Sequence, residues 1–425
     1  MQIAAPLMLP CGARLSNRLA KGAMTEGLAT ARGVPTPELE RLYGLWSDGG
    51  AGMLLTGNVQ IDRDHLERPG NVIIDKAPDA AMREALARWA KAGTRGGNHL
   101  WMQISHAGRQ TQAFINPTPK APSAVKLGLP GGQFGEPVAL TEAEIEDLIG
   151  RFAVVATAAR ESGFTGVQIH AAHGYLISQF LSPRSNVRTD AWGGSLENRA
   201  RFLMETIKRV RAAVGADFPV SVKLNSADFQ RGGFAFEDSL VVARWLQDAD
   251  VDLLEISGGS YEQPAMMDVE GLEPAARPDV PASTAQREAY FVDFAKAMKA
   301  KLSMPLMVTG GFRTARAMNH AIESGGADVI GIGRPMCVDV DAPKKLLAGA
   351  VSIDRWEDSL RLFGPMLGWL KAFKMFRAID GFAVQYWYYA QLYALGRTGK
   401  ADSAMKVMPA WQEVERTHKA LAEAR

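Results

Sequence analysis

Two imidazoles and a phenol, His170, His173 and Tyr175, stand within six residues of one another, directly after the apolar Val167 and Ile169. Imidazole N–H groups can hold an oxygen that gains negative charge, and a phenol is a weak acid able to protonate a neighbouring carbon. The same H-x-x-H spacing can also share a metal ion. A metal would want a third ligand, and the next carboxylate along the chain is Asp190. It would also have little use for Tyr175, whereas a carbonyl-activating site needs such an acid.

Two later runs, LMVTGGF at 306–312 and VIGIGRP at 329–335, read as strands that end in glycine. Glycine lets backbone N–H groups approach a phosphate closely, and Arg334 or Arg313 can supply countercharge. In barrel enzymes the loops after strands seven and eight commonly bind phosphate. Thr25, Gln103 and Lys223 add polar groups at or within apolar strands. A lysine inside the strand SVKLN is costly to bury unless paired, and a bound anion in the barrel mouth is the partner expected.

These residues need elements to hold them. Strands are expected at 19–24, 52–57, 100–105, 166–170, 220–225, 253–257, 306–309 and 329–333. Helices are expected at 37–47, 79–92, 142–162, 196–214, 236–248, 284–302, 315–324 and 342–347. The strands are apolar nearly throughout, as in a parallel sheet buried on both faces. Thr141 ahead of Glu144 is a capping-box pattern, and Ser195 precedes the helix at 196. The fold class is therefore α/β, and eight such units make a (β/α)8 TIM barrel, whose chemistry sits at the C-terminal strand ends. An open doubly wound sheet is the alternative, but the first strand–helix turn has no G-x-G-x-x-G. The insertions at 106–140 and 175–194 are expected to be pocket-building loops.

The barrel is expected to occupy 1–350 and a helical, aromatic extension 351–425, packed on the barrel or on a partner subunit. Trp369, Phe373, Phe376, Phe382, Tyr386, Trp387, Tyr388, Tyr389 and Tyr393 are too many aromatics to stay exposed, and they favour a homo-oligomer. A net charge of +2 gives no bulk field for nucleic acid. No apolar run reaches about 18 residues, and the N-terminus lacks a basic signal region, so no membrane partner and a cytoplasmic setting are expected. Cys11 and Cys337 are too few for an iron–sulfur cluster or a disulfide framework.

The run HAAHGYLISQFLSPRSNVRTDAWGGSLENR, with WMQISHAGR, TGGF and IGRP, resembles the old yellow enzyme family of flavin-dependent NAD(P)H oxidoreductases over roughly residues 1–345. The resemblance implies an FMN-binding barrel. Gly22, Ala23, Met24 and Thr25 would lie along the flavin, with Gly57 near the ring. Gln103 would read the pyrimidine, and Lys223 would face the N1–C2 oxygen side. Gly311, Gly333 and Arg334 would hold the phosphate. His170 and His173 would bind a substrate oxygen, and Tyr175 would donate the proton. NADPH or NADH would supply hydride, and an electron-poor alkene would accept it.

Gly27 stands where many small members carry a substrate-contacting Tyr, so that wall of the pocket is expected to differ. The iron–sulfur cluster and added nucleotide-binding domains of larger members are not expected. Three alternatives stay open. They are a non-redox phosphate-binding barrel with metal-assisted or aldol chemistry, an FMN barrel acting on another substrate class such as demethylation, and a non-catalytic flavin-binding protein.

Overall fold

The computed structural model describes residues 1–129, 132–259, 292–363 and 374–425. Eight short apolar strands follow one another around a cylinder: β1 (Leu19–Lys21), β2 (Met53–Leu55), β3 (His99–Ser105), β4 (Gly166–Ala171), β5 (Val220–Asn225), β6 (Leu253–Ser257), β7 (Leu306–Thr309) and β8 (Val329–Ile332). Each pairs in parallel with the next, and β8 pairs with β1, so the sheet closes and keeps no free edge. This is the (β/α)8 barrel, and closure disposes of the open-sheet alternative.

The helices are α1 (Pro37–Asp48), α2 (Ala80–Thr94), α3 (Glu142–Glu161), α4 (Leu176–Leu181), α5 (Leu196–Val214), α6 (Phe236–Asp248), α7 (Val292–Lys299), α8 (Ala315–Glu323), α9 (Ala342–Leu347), α10 (Lys374–Thr398) and α11 (Val407–Glu423). The starts of α1, α2, α3, α5 and α8 are fixed by side chains that accept otherwise orphaned N–H groups. Thr36 accepts from Leu39 and Ser195 from Asn198, and Thr141 with Glu144 forms the full capping box. Of the helix expected at 284–302, residues 284–291 lie outside the described residues.

Some local expectations change, among them these. β1 stops at Lys21 rather than at 24, because the chain after Gly22 leaves the ladder to line the rim. Within 175–194 the six residues of α4 are all buried, so this part is a helix and not a loop. Within 106–140 the two-residue strands Lys120–Ala121 and Val138–Ala139 pair with each other.

The barrel interior has two levels, because side chains two apart on a strand share a face. At the lower level Ala20, Met53, Leu55, Trp101, Leu253, Met307 and Val329 form an apolar plug, closed from below by Leu9 and Leu15. Trp101 fills so much of it that a Cβ on Gly166 would stand 2.5 Å from the indole. One step further along the strands the inward positions are polar: Gln103 follows Trp101, and Glu255 follows Leu253. The plug carries the fold and the polar step carries the site.

Of the C-terminal aromatics, Trp387, Tyr388, Tyr389 and Tyr393 on α10 are buried, while Phe382 is 54% exposed. Trp369 and Phe373 lie outside the described residues, as does the side chain of Phe376. α10 lies along α1, where Arg41 donates to the Gly396 carbonyl at 2.6 Å, and α11 packs on α10. Among the described residues no helix is long and apolar enough to cross a membrane.

Outside the barrel wall, Lys21 is fully buried under α1. Its Nζ donates to the Leu55 carbonyl at 2.7 Å, lies 4.2 Å over the Trp46 ring and faces Glu26 at 3.7 Å. Glu26 also accepts from the Tyr43 hydroxyl and from the Gly57 N–H. Burial pulls the Lys21 ammonium down to about 8 against the opposing charge of Glu26. Removing one partner of a buried pair leaves an uncompensated charge. Glu26→Leu should therefore lower the unfolding free energy by about 3–5 kcal/mol in urea titrations, and adding Lys21→Met should recover most of it. A single-variant loss below about 1 kcal/mol would show the pair to be screened like a surface one.

Candidate active site

β4 ends at Ala171, and the chain then makes a turn that few residues adopt. His173 has φ 62° and Gly174 φ 77°. A left-handed conformation in a non-glycine residue costs on the order of 1–3 kcal/mol and persists only where neighbours enforce it. Here Asn225 accepts from the His173 N–H at 3.1 Å, and Gln110 donates to its carbonyl at 3.0 Å. The turn brings three rings together. His170 meets His173 edge to face at 5.1 Å between centroids, and Tyr175 at 4.8 Å.

Burial favours the neutral form of both imidazoles. Burial, and then the charge of Lys223, holds each well below the ordinary histidine value. The Ala172 N–H donates to His170 Nδ1 at 3.2 Å, so the ring proton of His170 sits on Nε2. His170 Nε2 is thus an N–H donor and not a lone pair. His173 Nε2 lies 2.6 Å from Ser257 Oγ at the end of β6.

Below these rings runs a chain of side chains across four strands. Gln103 donates to Gln168 at 2.8 Å, Gln168 donates to Glu255 at 2.9 Å, and Glu255 meets Lys223 Nζ at 2.9 Å. Parallel register sets it, placing Gln103 opposite Gln168 and Lys223 opposite both His170 and Glu255. The partner expected for Lys223 was a bound anion, yet the protein supplies it as Glu255. The same signal that singled out Lys223, a charge within an apolar strand, also marks Glu255 in LLEIS and went unread.

The remaining expected residues share this rim. The Gly22 N–H still reaches the Ile332 carbonyl at 2.8 Å, and Ala23 touches the apolar plug. Met24 Sδ is 3.4 Å from Cys337 Sγ, and Thr25 Oγ1 is 3.4 Å from Asn58. Gly57 follows β2, and a Cβ there would stand 2.4 Å from the Met24 carbonyl. After β7, Gly311 takes φ 76°. After β8, a Cβ on Gly333 would meet nothing within 4 Å, so this backbone borders open space. Arg334 follows it with its side chain 31% exposed, whereas Arg313 is 6% exposed and donates to Glu357 at 2.6 Å. Of the two candidate phosphate cations, Arg334 is the less committed.

Gly27 takes φ 68°, and a Cβ there would stand 3.0 Å from the Tyr393 hydroxyl. The space beside Gly27 is thus filled from α10. Spacing along the sequence could not disclose a tyrosine 366 residues away.

A second cluster, Asp62, His65 and His106, has metal-ligand composition. Its tautomers argue otherwise. The Lys120 N–H donates to His65 Nε2 at 2.8 Å and the Gly108 N–H to His106 Nδ1 at 3.0 Å. The nitrogens facing Asp62 therefore carry protons, and Arg151 bonds the same carboxylate at 3.1 Å. Asp62 is a half-buried carboxylate faced by N–H groups and by a guanidinium.

The rim fits a phosphorylated cofactor with a polar ring edge. It offers glycine backbone beside open space and a half-exposed guanidinium, then an ammonium and an amide further in. The family model described as NADH:flavin oxidoreductase / NADH oxidase family matches residues 3–351. The chain is 39% identical over 363 residues to the NADH-dependent flavin oxidoreductase iliE of Hypocrea jecorina (strain QM6a), covering 80% of this chain and 88% of that protein. It is 34% identical over 417 residues to the NADH-dependent flavin oxidoreductase iccE of Talaromyces variabilis, covering 94% and 99%. Among solved structures it is similar to 2-naphthoyl-CoA reductase in complex with 2-naphthoyl-CoA, with a TM-score of 0.73, 26% identity and coverage of 83% of this chain and 53% of that one. The old yellow enzyme homologue from Zymomonas mobilis gives 0.68, 25%, 84% and 96%.

The neutral histidines set a pH dependence. Unfolding frees imidazoles that take up protons near pH 6.5, while the folded rings stay neutral to lower pH. The unfolded state then binds more protons, so stability falls as the solution is acidified from about pH 7. A ring that stays neutral where its unfolded counterpart is charged contributes at most about 1.4 kcal/mol per pH unit. His170→Asn should flatten the slope of unfolding free energy between about pH 6 and pH 5 by that amount. An unchanged slope would mean that His170 is already charged in the folded protein.

Proposed function

The chain belongs to the NADH:flavin oxidoreductase / NADH oxidase family of FMN-dependent enzymes, the old yellow enzymes, and from that premise we propose that it reduces the activated C=C bond of α,β-unsaturated carbonyl or nitro compounds, with NADH as donor. The names of its relatives favour NADH over NADPH. The observation that carries the reading is the His170 Nε2–H, fixed as a donor by the Ala172 N–H and set among His173 and Tyr175 on a barrel rim.

Bound FMN supplies the hydride chemistry. Gly22, Ala23, Met24 and Thr25 would hold one side of the ring, with Gly57 beside it and Gln103 and Lys223 at its polar edge. Gly311, Gly333 and Arg334 would hold the phosphate. Lys223 brings a positive charge to the floor of the site, offset in part by Glu255, and favours negative charge above it.

His170 and His173 bind the carbonyl or nitro oxygen of the substrate. A neutral imidazole polarises that oxygen without giving up its proton, because neutral imidazole is a far weaker acid than imidazolium. The proton for the α-carbon must then come from another group, and Tyr175, edge-on to His170, is that acid. The donors stand fixed before the reaction, so charge developing on the oxygen meets dipoles already aligned. The His170 tautomer disfavours the metal-assisted alternative, since its Nε2 presents a proton where a metal needs a lone pair.

The purified protein should be yellow, bleach anaerobically with NADH and regain colour with cyclohexenone or maleimide. A colourless protein that takes up no FMN would end this reading. His170→Ala should slow alkene-driven reoxidation on the order of 10²–10³-fold. Tyr175→Phe should slow the same half-reaction on the order of 10²-fold or more and spare flavin reduction by NADH. Equal losses in both half-reactions would make Tyr175 a cofactor-positioning group instead.

A further inference from the structure

We propose that Tyr388 of the C-terminal helix α10 is a positioning residue for the phosphate end of the cofactor site, acting through Glu357 on Arg313 and Arg334. This rests on the reading that Gly311, Gly333 and Arg334 hold the FMN phosphate.

Arg313 follows the glycine turn after β7, and Arg334 follows Gly333 after β8. Two guanidiniums brought to one rim repel, and Arg313 is nearly out of water. Glu357, in the short turn Trp356–Asp358 beyond the barrel, gathers them. Its Oε1 accepts from Arg313 at 2.6 Å and stands 3.9 Å from Arg334. Burial alone would raise the Glu357 carboxyl, but the charges of Arg313 and Arg334, together with hydrogen bonds to its carboxylate, hold it below the ordinary value. The cluster of two cations and one anion keeps one net positive charge, with Arg334 as its exposed face.

A carboxylate can turn about its own bond, and what stops Glu357 from turning is α10. Tyr388 donates its hydroxyl to the second oxygen, Oε2, at 3.0 Å. Burial, and then the Glu357 charge, keeps this hydroxyl protonated far above the ordinary tyrosine value. The helix that carries it is anchored along its length. The Tyr388 ring sits edge-on to Trp387 at 5.2 Å, and Tyr389 accepts from Arg68 at 2.7 Å beneath a guanidinium stacked 3.9 Å over its ring. One turn on, Tyr393 fills the space beside Gly27. Tyr388 therefore reaches Glu357 from a fixed support, and the arginines are set before any phosphate arrives. Ordering them beforehand spares the bound state the loss of long side-chain freedom.

The test compares FMN with riboflavin, which has the same ring and ribityl chain but no phosphate. Full-length protein stripped of flavin is titrated with each, following flavin fluorescence, as wild type and as Tyr388→Phe. Wild type should prefer FMN. Tyr388→Phe should weaken FMN binding by about tenfold, the scale of a lost hydrogen bond to a charged group, and leave riboflavin binding unchanged. Unchanged riboflavin affinity also reports that the barrel is folded. A preserved FMN-to-riboflavin ratio, whether both affinities hold or both fall together, overturns the proposal, because Tyr388 would then serve only packing. A wild type without preference for FMN overturns instead the phosphate-site reading on which the proposal stands.

Discussion

In the barrel interior, above the level where Trp101 and the methionines exclude water, a lysine and a glutamate face each other across neighbouring strands. Neither Lys223 nor Glu255 could be buried alone. Together they turn the upper level of the core from apolar to polar with each charge set beside its opposite. Gln168 and Gln103 extend that level across the barrel. The pair also reaches upward, since the Lys223 charge helps to keep His170 and His173 neutral. The rim chemistry thus stands on a floor whose charges were settled by folding.

Neutrality decides what the histidines can do. A charged imidazolium would bind an oxygen more strongly but would also compete as the proton source. Kept neutral, His170 offers one ring N–H as a donor while its other ring nitrogen accepts from Ala172, and in the proposed reaction the acid is Tyr175. Their geometry rests on a turn with an unfavourable backbone at His173, which Asn225 and Gln110 hold in place. Strain confined to one residue and enforced from two other elements is how a folded chain keeps rings where an unconstrained loop would not.

The C-terminal helices belong to the same economy of position. α10 closes over α1, puts Tyr393 into the space beside Gly27, and lays Tyr389 against Arg68. The likeness to iccE of Talaromyces variabilis covers 94% of this chain, so it extends into this region. Aromatic residues that the sequence marks only as too apolar to be exposed have polar tips directed at particular partners, which is the usual use of buried tyrosine.

Strand and helix positions were legible because each depends on a local period: apolar runs for β1 to β8, caps at Thr141 and Ser195 for α3 and α5. His170, His173 and Tyr175 were legible for the same reason, lying together in one short run. The partner of Lys223, the tyrosine beside Gly27 and the protonation of His170 were not. Glu255 and Tyr393 are brought there by strand register and helix docking from tens to hundreds of residues away, and the neutrality of His170 depends on burial and on the Lys223 charge. By itself the sequence determined which side chains could do chemistry and at which strand ends they fall, since those follow from period and composition. Tertiary structure alone decided their charge and their neighbours, because these are set by burial and by contacts that no spacing along the chain encodes.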